Sequence, residues 1–374
     1  MVDVGGVRPI VSVVTPVRKS GAPGTLVLVG VPPVQACPDP ERQSDSCDEP
    51  RFMRKMPCER RQAVSDETTT SPRWKAALAG WFWRAAASGL ARAAWFERNL
   101  PDPSSRAAAT GPLDIEIVSH CWRYAHFLMY QLSSLVNFPP QKPGSVTMTV
   151  YYDPSDTNTV RVLDFFSNES VPRVRWNWQP LPKEILFRRA IGRNRSALAT
   201  TADWIWFTDC DVMFRERCLD QLVEAVQGRR DALVFPRNEH CTPLLPPDSA
   251  VLNVNPAEPR VIDVDPAQFT RRDRSRATGP LQIVHGDVAR ACGYCNAISF
   301  YQQPAKTWRK AYEDRALRWL LRTQGTPLDV RGVYRIRHAE KGRYKDGTMS
   351  AGIRGSVRRV ESWMKERRLA DRDR

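Results

Sequence analysis

Two aspartates one residue apart, Asp209 and Asp211, close the stretch DWIWFTDCD at 203–211. In an extended chain, residues two apart project to the same side, so both carboxylates converge on one point just past an apolar strand. Oxygen donors so placed suit a hard divalent cation that shares its coordination sphere with phosphate oxygens. Turns are rich in Asp for other reasons, but the preceding WIWF weights the pair toward metal or nucleotide binding. Cys210, between them, is expected to point away. A second acidic pair, Glu313 and Asp314, opens a predicted helix whose stripe is Tyr312, Ala316, Trp319 and Leu320 and whose stop is Gly325. Acids in a first turn also favour the helix dipole, so the pair serves either stability or proton transfer. In VYRIRHAEKGRYK, at 333–345, alternation sets Arg335 and Arg337 on one side, followed by His338, Lys341 and Arg343. This is either a clamp on a diphosphate with His338 as a third metal ligand, or a solvated basic edge.

The elements that must position these groups follow from periodicity. LDIEIVSH, SVTMTVYYD, VRWNWQPL and DWIWFTDCD read as strands, and RYAHFLMYQLSSLVNF, DTNTVRVLDFF and KEILFRRAIGRNRSALATT as the helices between them. Strands alternating with helices predict an α/β fold with a mostly parallel central sheet covered on both faces. Ligands in such sheets gather beyond the carboxyl ends of the strands. On the third helix, Asn194 shares a face with Phe187, Ala190, Ile191, Ala197 and Leu198, so its amide requires a buried partner, and a nucleotide would serve.

Residues 1–112 differ in texture. Pro, Arg and Ser are frequent and no apolar period persists, which predicts a mostly disordered N-terminal extension. Within it, 74–99 has helical character, with aromatic residues and alanines interrupted by Lys75, Arg84, Arg92 and Arg98. Two readings stay open for this segment: packing on the domain, or contact with an anionic membrane surface. The folded domain is expected over 113–345 and a basic tail over 346–374, where Val357, Val360 and Trp363 share a side.

With 374 residues, 42% of them hydrophobic, the chain can bury a real core, and its net charge of +15 favours anionic partners. Nine irregularly spaced cysteines without a recognisable secretory leader argue against a disulfide framework and for a cytoplasmic, reducing setting. No run approaches the roughly 18 apolar residues of a spanning helix. The pair in CGYC at 292–295 lacks a partner pair for zinc, and His120, His126, His240 and His285 are expected to be structural or surface residues.

Four stretches in order, YYDPSDTNTVRVL, AIGRNRSALATTADWIWFTDCD, GPLQIVHGDVARACGYCN and WRKAYEDRALRWLLRTQG, resemble the family-2 glycosyltransferases over roughly 113–343. That resemblance implies the nucleotide-diphosphosugar fold called GT-A. It implies that Asp153 meets the nucleotide base with Asp156 close behind, and that Arg193, Asn194 and Asp209 line the donor site. It also implies that Asp209 and Asp211 hold Mn2+ or Mg2+, that Asp314 beside Glu313 is the catalytic base, and that transfer inverts the anomeric centre. The chain departs from the family in SHCWRYAH, where a Pro-x-Tyr-Asn type of turn is usual, so the base pocket is expected to be built differently. The expected partners are a nucleotide-diphosphate sugar donor and a glycan, lipid or small-molecule acceptor, with Arg337 on the diphosphate. Competing readings are a sugar nucleotidyltransferase, which would need a Gly-rich phosphate loop that IVSHCWRYAH lacks, and a non-catalytic basic nucleic-acid-binding protein, for which no recognition motif is present.

Overall fold

The structure, a computed structural model, describes residues 73–305 and 312–338. In chain order the elements are α1 (Arg73–Ala85), β1 (Ile115–Cys121), α2 (Ala125–Asn137), β2 (Val146–Tyr152), α3 (Thr157–Ser167), β3 (Val174–Pro180), α4 (Lys183–Leu186), α5 (Arg189–Ala199), β4 (Trp204–Phe207) and β5 (Val212–Phe214). They continue with α6 (Cys218–Val226), β6 (Leu233–Pro236), β7 (Asn238–Cys241), β8 (Thr270–Asp273), β9 (Gln282–His285), α7 (Gly286–Cys292), α8 (Glu313–Leu320), β10 (Thr326–Leu328) and β11 (Val333–Arg335).

Seven strands form the main sheet in the order β10-β6-β9-β4-β1-β2-β3. All its pairings are parallel except those of β9, which runs antiparallel to both β4 and β6. The expected α/β fold with a mostly parallel sheet between helices is therefore present. Every residue of β1 and β4 is buried, the mark of strands covered on both faces rather than one. The predicted helix over 183–201 divides into α4 and α5, because Arg188 leaves the helical region (φ −113°, ψ 79°) and its guanidinium lies 4.6 Å from the centre of the Phe300 ring.

A second sheet, β5-β11-β7-β8, has four strands and follows from no local pattern except the alternation in VYRIRH. Its β5 starts directly after Asp211, and β11 pairs with it antiparallel, Arg335 opposite Val212. At its heart is Glu239, fully buried, which forms ion pairs with Arg274 and with Arg335, the latter at 2.9 Å. Burial opposes the charge of Arg335, but Glu239 outweighs it and holds the guanidinium above its ordinary pKa. Two cations around one buried carboxylate are tolerable only as a set, so these strands are locked to one another.

The helical character expected over 74–99 runs to Ala85, with one more turn to Leu90 that Gly89 breaks at φ +102°, and the segment packs on the domain, one of its two readings; between residues 100 and 112 the expected disorder differs from the structure. Trp83 packs edge-on to Phe96 at 5.3 Å, and Phe96 in turn meets Trp319 of α8. The Trp319 indole N–H donates to the carbonyl of Ala91, Arg315 donates to that of Ala87, and Arg322 to that of Glu97. Further along, Arg106 donates to the carbonyl of Arg230, and Asp287 accepts from the backbone N–H of Ala107. Low apolar periodicity misleads here because this stretch is held by side chains from elsewhere, which claim its backbone carbonyls one at a time. The expected basic tail at 346–374 and the extension before residue 73 lie outside the described residues.

The three-ring contact carries a testable expectation. Phe96→Ala removes the ring that links Trp83 to Trp319 and should lower unfolding stability by roughly 2 kcal/mol in urea titration. A change below about 0.5 kcal/mol, the size of an ordinary surface substitution, would show that the segment is not part of the cooperative unit.

Candidate functional site

Past the carboxyl ends of β1 and β4, a cleft is lined by His120, Trp122, Tyr124 and Phe127 together with Leu186, Phe187 and Arg189. Asp209, Cys210, Asp211 and His338 also line it. Both members of the Asp-x-Asp pair thus face one cavity, at the strand ends where an open α/β sheet collects ligands. They do so from a turn rather than from the strand itself, since β4 ends at Phe207.

The two carboxylates have different surroundings. Asp209 accepts from Arg189 and from Arg193, whose Nη2 stands 3.2 Å away. Arg193 is 1% exposed and donates as well to the carbonyl of Thr208 (2.9 Å) and the hydroxyl of Tyr294 (2.8 Å). Burial works against the charge on Arg189, but Asp209, Glu313 and Tyr294 outweigh it and raise the pKa. Asp211 instead faces His338, with Nε2 and Oδ2 separated by 4.0 Å. Its carbonyl accepts from the backbone N–H of Ile336, so the second sheet delivers His338 to this position. The imidazole is fixed by the rings of Phe127 (4.3 Å) and Tyr124 (5.4 Å).

Asp211 and His338 present a carboxylate oxygen and an imidazole nitrogen to one cleft, a donor set that Mn2+ accepts. Among the described residues no group of three His, Cys, Asp or Glu side chains is arranged to hold a metal. The remaining positions would be filled by oxygens from outside the protein, as is usual where a cation is shared with phosphates.

The other expected site residues are placed as follows. Asp153 is buried and accepts from the backbone N–H groups of Ser155 and Lys183, 2.8 and 2.5 Å away. Asp156 is the N-cap of α3, accepting from Thr159 and from the backbone of Arg123. Both carboxylates therefore hold the loops behind the aromatic wall, and neither lines the cleft. Asn194 finds its buried partner within the protein: its oxygen accepts from the backbone N–H of Tyr294 at 2.9 Å and its amide donates to Asn296. That corrects the expectation of a nucleotide partner, and it explains CGYC. Gly293 has φ +63°, and a Cβ there would stand 2.2 Å from the Asn194 oxygen, so only glycine admits the bond. Arg337 donates from its backbone to Thr242 and from its guanidinium to the Thr242 carbonyl at 3.5 Å, outside the cleft lining.

Glu313 and Asp314 do open α8, after Tyr312 in the left-handed region (φ +58°). They separate by environment. Glu313 is buried, which raises its pKa, while Arg189, Arg193 and Arg188 draw it back down. Asp314 is half-exposed and faces Arg318, one turn on, at 3.4 Å. Neither lines the cleft, yet both are tied to it. Tyr294 donates to Gln282, and Gln282 donates to the carbonyl of Asp314 at 3.1 Å, so hydrogen bonds run from Asp209 through Arg193, Tyr294 and Gln282 to the first turn of α8.

Two residues escaped the reading of the sequence. Arg189 stands four positions before Arg193 on one helix face, and that i, i+4 spacing was the available sign. His120, expected to be structural or on the surface, is the last residue but one of β1, lines the cleft and stacks on Tyr151 at 5.0 Å. Burial together with Arg193 and Arg189 pushes its pKa well below the usual histidine range. Cys210 is buried, and contact with the thiol of Cys121 comes first among the causes that push its pKa up. The six described cysteines are free thiols.

His126, on α2 with its ring 4.0 Å from that of Phe127, sets a pH dependence. Burial lowers the pKa of His126 from 6.5 to about 4. The unfolded chain then binds a proton more readily than the folded one, so this part of the stability is complete above about pH 6.5 and is lost as pH falls toward 4. Thermal unfolding followed from pH 7 to pH 4 should show a declining Tm, and His126→Gln should flatten the decline.

Comparisons of the sequence with protein-family models and with curated proteins return no match. Among solved structures the chain is similar to the mannosyltransferase PcManGT from Pyrobaculum calidifontis in complex with GDP-Man and Mn2+, at TM-score 0.37 and 16% identity, covering 78% of this chain and 76% of that one. It is also similar to S. aureus TarS 1–349 in complex with UDP, at TM-score 0.40 and 12% identity, and in complex with UDP-GlcNAc, at TM-score 0.37. The match covers 60% of this chain and about six-tenths of the length of TarS 1–349. Overlaps of this size say nothing about activity, for which the cleft is the basis.

Proposed function

We propose that the protein is a metal-dependent, inverting glycosyltransferase of the GT-A type, moving a sugar from a nucleotide diphosphate to a hydroxyl acceptor. The observation that carries this reading is the convergence of Asp209, Asp211, Arg189 and His338 on one cleft with an aromatic wall at the ends of parallel strands. Trp122, Tyr124, Phe127 and Phe187 offer flat apolar faces for a planar base, and Arg189 offers charge to a phosphate. His120, kept neutral, presents no positive charge of its own to the donor. Asp153 and Asp156 support this wall from behind and place it relative to the base.

Asp211 and His338 would hold Mn2+ or Mg2+, with Asp209 beside them as the acceptor of Arg189 and Arg193. Bound there, the ion would neutralise the negative charge that grows on a departing diphosphate. The protein's own groups do the rest. Arg189, fixed between Asp209 and Glu313, keeps its charge at the cleft rim without reorganisation. Asp314, the half-exposed carboxylate of the pair, lies outside the cleft lining and would take the proton of an acceptor hydroxyl that reaches in from the start of α8, as attack proceeds on the face opposite the leaving group. Glu313 remains buried against the arginines and positions the helix. Attack in one step, with no covalent enzyme intermediate, inverts the anomeric carbon.

Purified protein with Mn2+ and a panel of sugar nucleotides should release a nucleoside diphosphate from at least one of them when given an acceptor. Asp211→Asn is expected to lower metal-dependent turnover by at least about a hundredfold, the usual scale for losing electrostatic stabilisation of developing charge. Asp314→Asn should leave the donor's Kd unchanged while transfer falls by a similar factor; full rate in that variant would rule it out as the base. Chelation that leaves turnover intact would refute the metal.

A further inference from the structure

We propose that the surface formed by residues 78–98 docks in the plane of an anionic lipid bilayer. Six large apolar side chains are prominently exposed among the described residues, and five of them lie here: Leu78, Trp81, Phe82, Leu90 and Trp95, ranging from 50% exposed for Phe82 to 80% for Leu90. Leu78, Trp81 and Phe82 follow the i, i+3, i+4 spacing of one face of α1. Such a concentration marks an interaction surface, because monomeric proteins seldom leave large apolar side chains gathered in solvent.

The opposite side of this segment is fully committed. Trp83, Phe96 and Trp319 form the three-ring contact, and Trp319, Arg315 and Arg322 claim the carbonyls of Ala91, Ala87 and Glu97. The exposed side chains are therefore displayed by a segment anchored on α8, and they cannot be buried by rotating it without losing those bonds.

Charge identifies the occupant. From Thr68 through Phe96 the sequence contains no Asp or Glu, and the next acid, Glu97, is buried. Arg84, Arg92 and Arg98 are exposed in the same stretch, on a chain whose net charge is +15. Exposed Trp and Phe together with arginines match the boundary between acyl chains and anionic headgroups, where aromatic rings enter and cations stay at the phosphates. A second copy of the same surface would instead bring these arginines against their own kind. No helix among the described residues is long and apolar enough to cross a membrane, so contact is in-plane. This docking is independent of the chemistry assigned to the cleft, although the segment rests on the helix that begins with Glu313 and Asp314.

Co-sedimentation of the full chain with vesicles of phosphatidylcholine, with or without phosphatidylglycerol, tests the proposal. Binding should be at least about tenfold stronger to the vesicles containing phosphatidylglycerol and should weaken as salt is raised. The double substitution Trp81→Glu, Phe82→Glu should reduce it at least tenfold while leaving the Tm and circular dichroism at wild-type values. Should that variant misfold, the conservative Trp81→Phe serves: quenching of tryptophan fluorescence by brominated lipid should be smaller than in wild type. The proposal is overturned if anionic vesicles do not bind the protein, if either variant behaves as wild type in its assay, or if light scattering shows a dimer that the double variant abolishes in place of vesicle binding.

Discussion

One buried guanidinium organises the molecule. Arg193 is 1% exposed, and it joins the Thr208 carbonyl, the Asp209 carboxylate and the Tyr294 hydroxyl. An uncompensated charge at that depth would cost several kcal/mol, so its three partners must all be in place before the fold is acceptable. Those partners come from the exit of β4 and from the loop after α7, and Asn194, the next residue, bonds the same loop through Tyr294 and Asn296. Adjacent residues on one helix thus fasten the acidic turn to the glycine-tyrosine loop. Arg189, a turn earlier on that helix, completes the hold on Asp209 from the cleft side.

The cleft inherits its asymmetry from this arrangement. Asp209 takes two arginines on its Oδ1, whereas Asp211 looks across to His338, which arrives on a separate small sheet. That sheet has its own buried anchor in Glu239 with Arg274 and Arg335. Two independently fixed layers therefore meet at the cleft. The 4.0 Å separation of Asp211 and His338 depends on the register of β5 against β11 and on the bond from Ile336 to the Asp211 carbonyl. Rigid elements on both sides are what a site requires if its groups are to be held without reorganisation during a reaction.

Much of the scaffold was legible in residue order. Segments rich in β-branched and aromatic residues such as IEIVSHC and VTMTVYY declared the parallel strands, and the acidic pair past WIWF declared where the cleft should be. Ala316, Trp319 and Leu320 located α8 with Glu313 and Asp314 in its first turn, whereas Tyr312, expected within the helix, stands just before it in the left-handed region. For the segment from 86 to 99 packing on the domain was one of two open readings, and what it packs against was not legible. Its hydrogen bonds go to Trp319, Arg315 and Arg322, residues that no local window contains. Asp153 and Asp156 show the same limit from the other direction. Their types suit ligand binding and backbone capping equally well, and only the placement of Ser155, Lys183, Arg123 and Thr159 shows them capping.

The sequence by itself determined the alternation of strands and helices, because side-chain direction repeats with a fixed local period, and it set Asp209 and Asp211 just past a buried strand. Tertiary structure decided what each carboxylate faces. Arginines satisfy Asp209, a histidine from a second sheet stands opposite Asp211, and a protein backbone rather than a ligand receives Asn194. Periodicity assigns a side chain to a face, but its partner on that face depends on strand register and helix packing, which are settled only when distant segments bury their charges together.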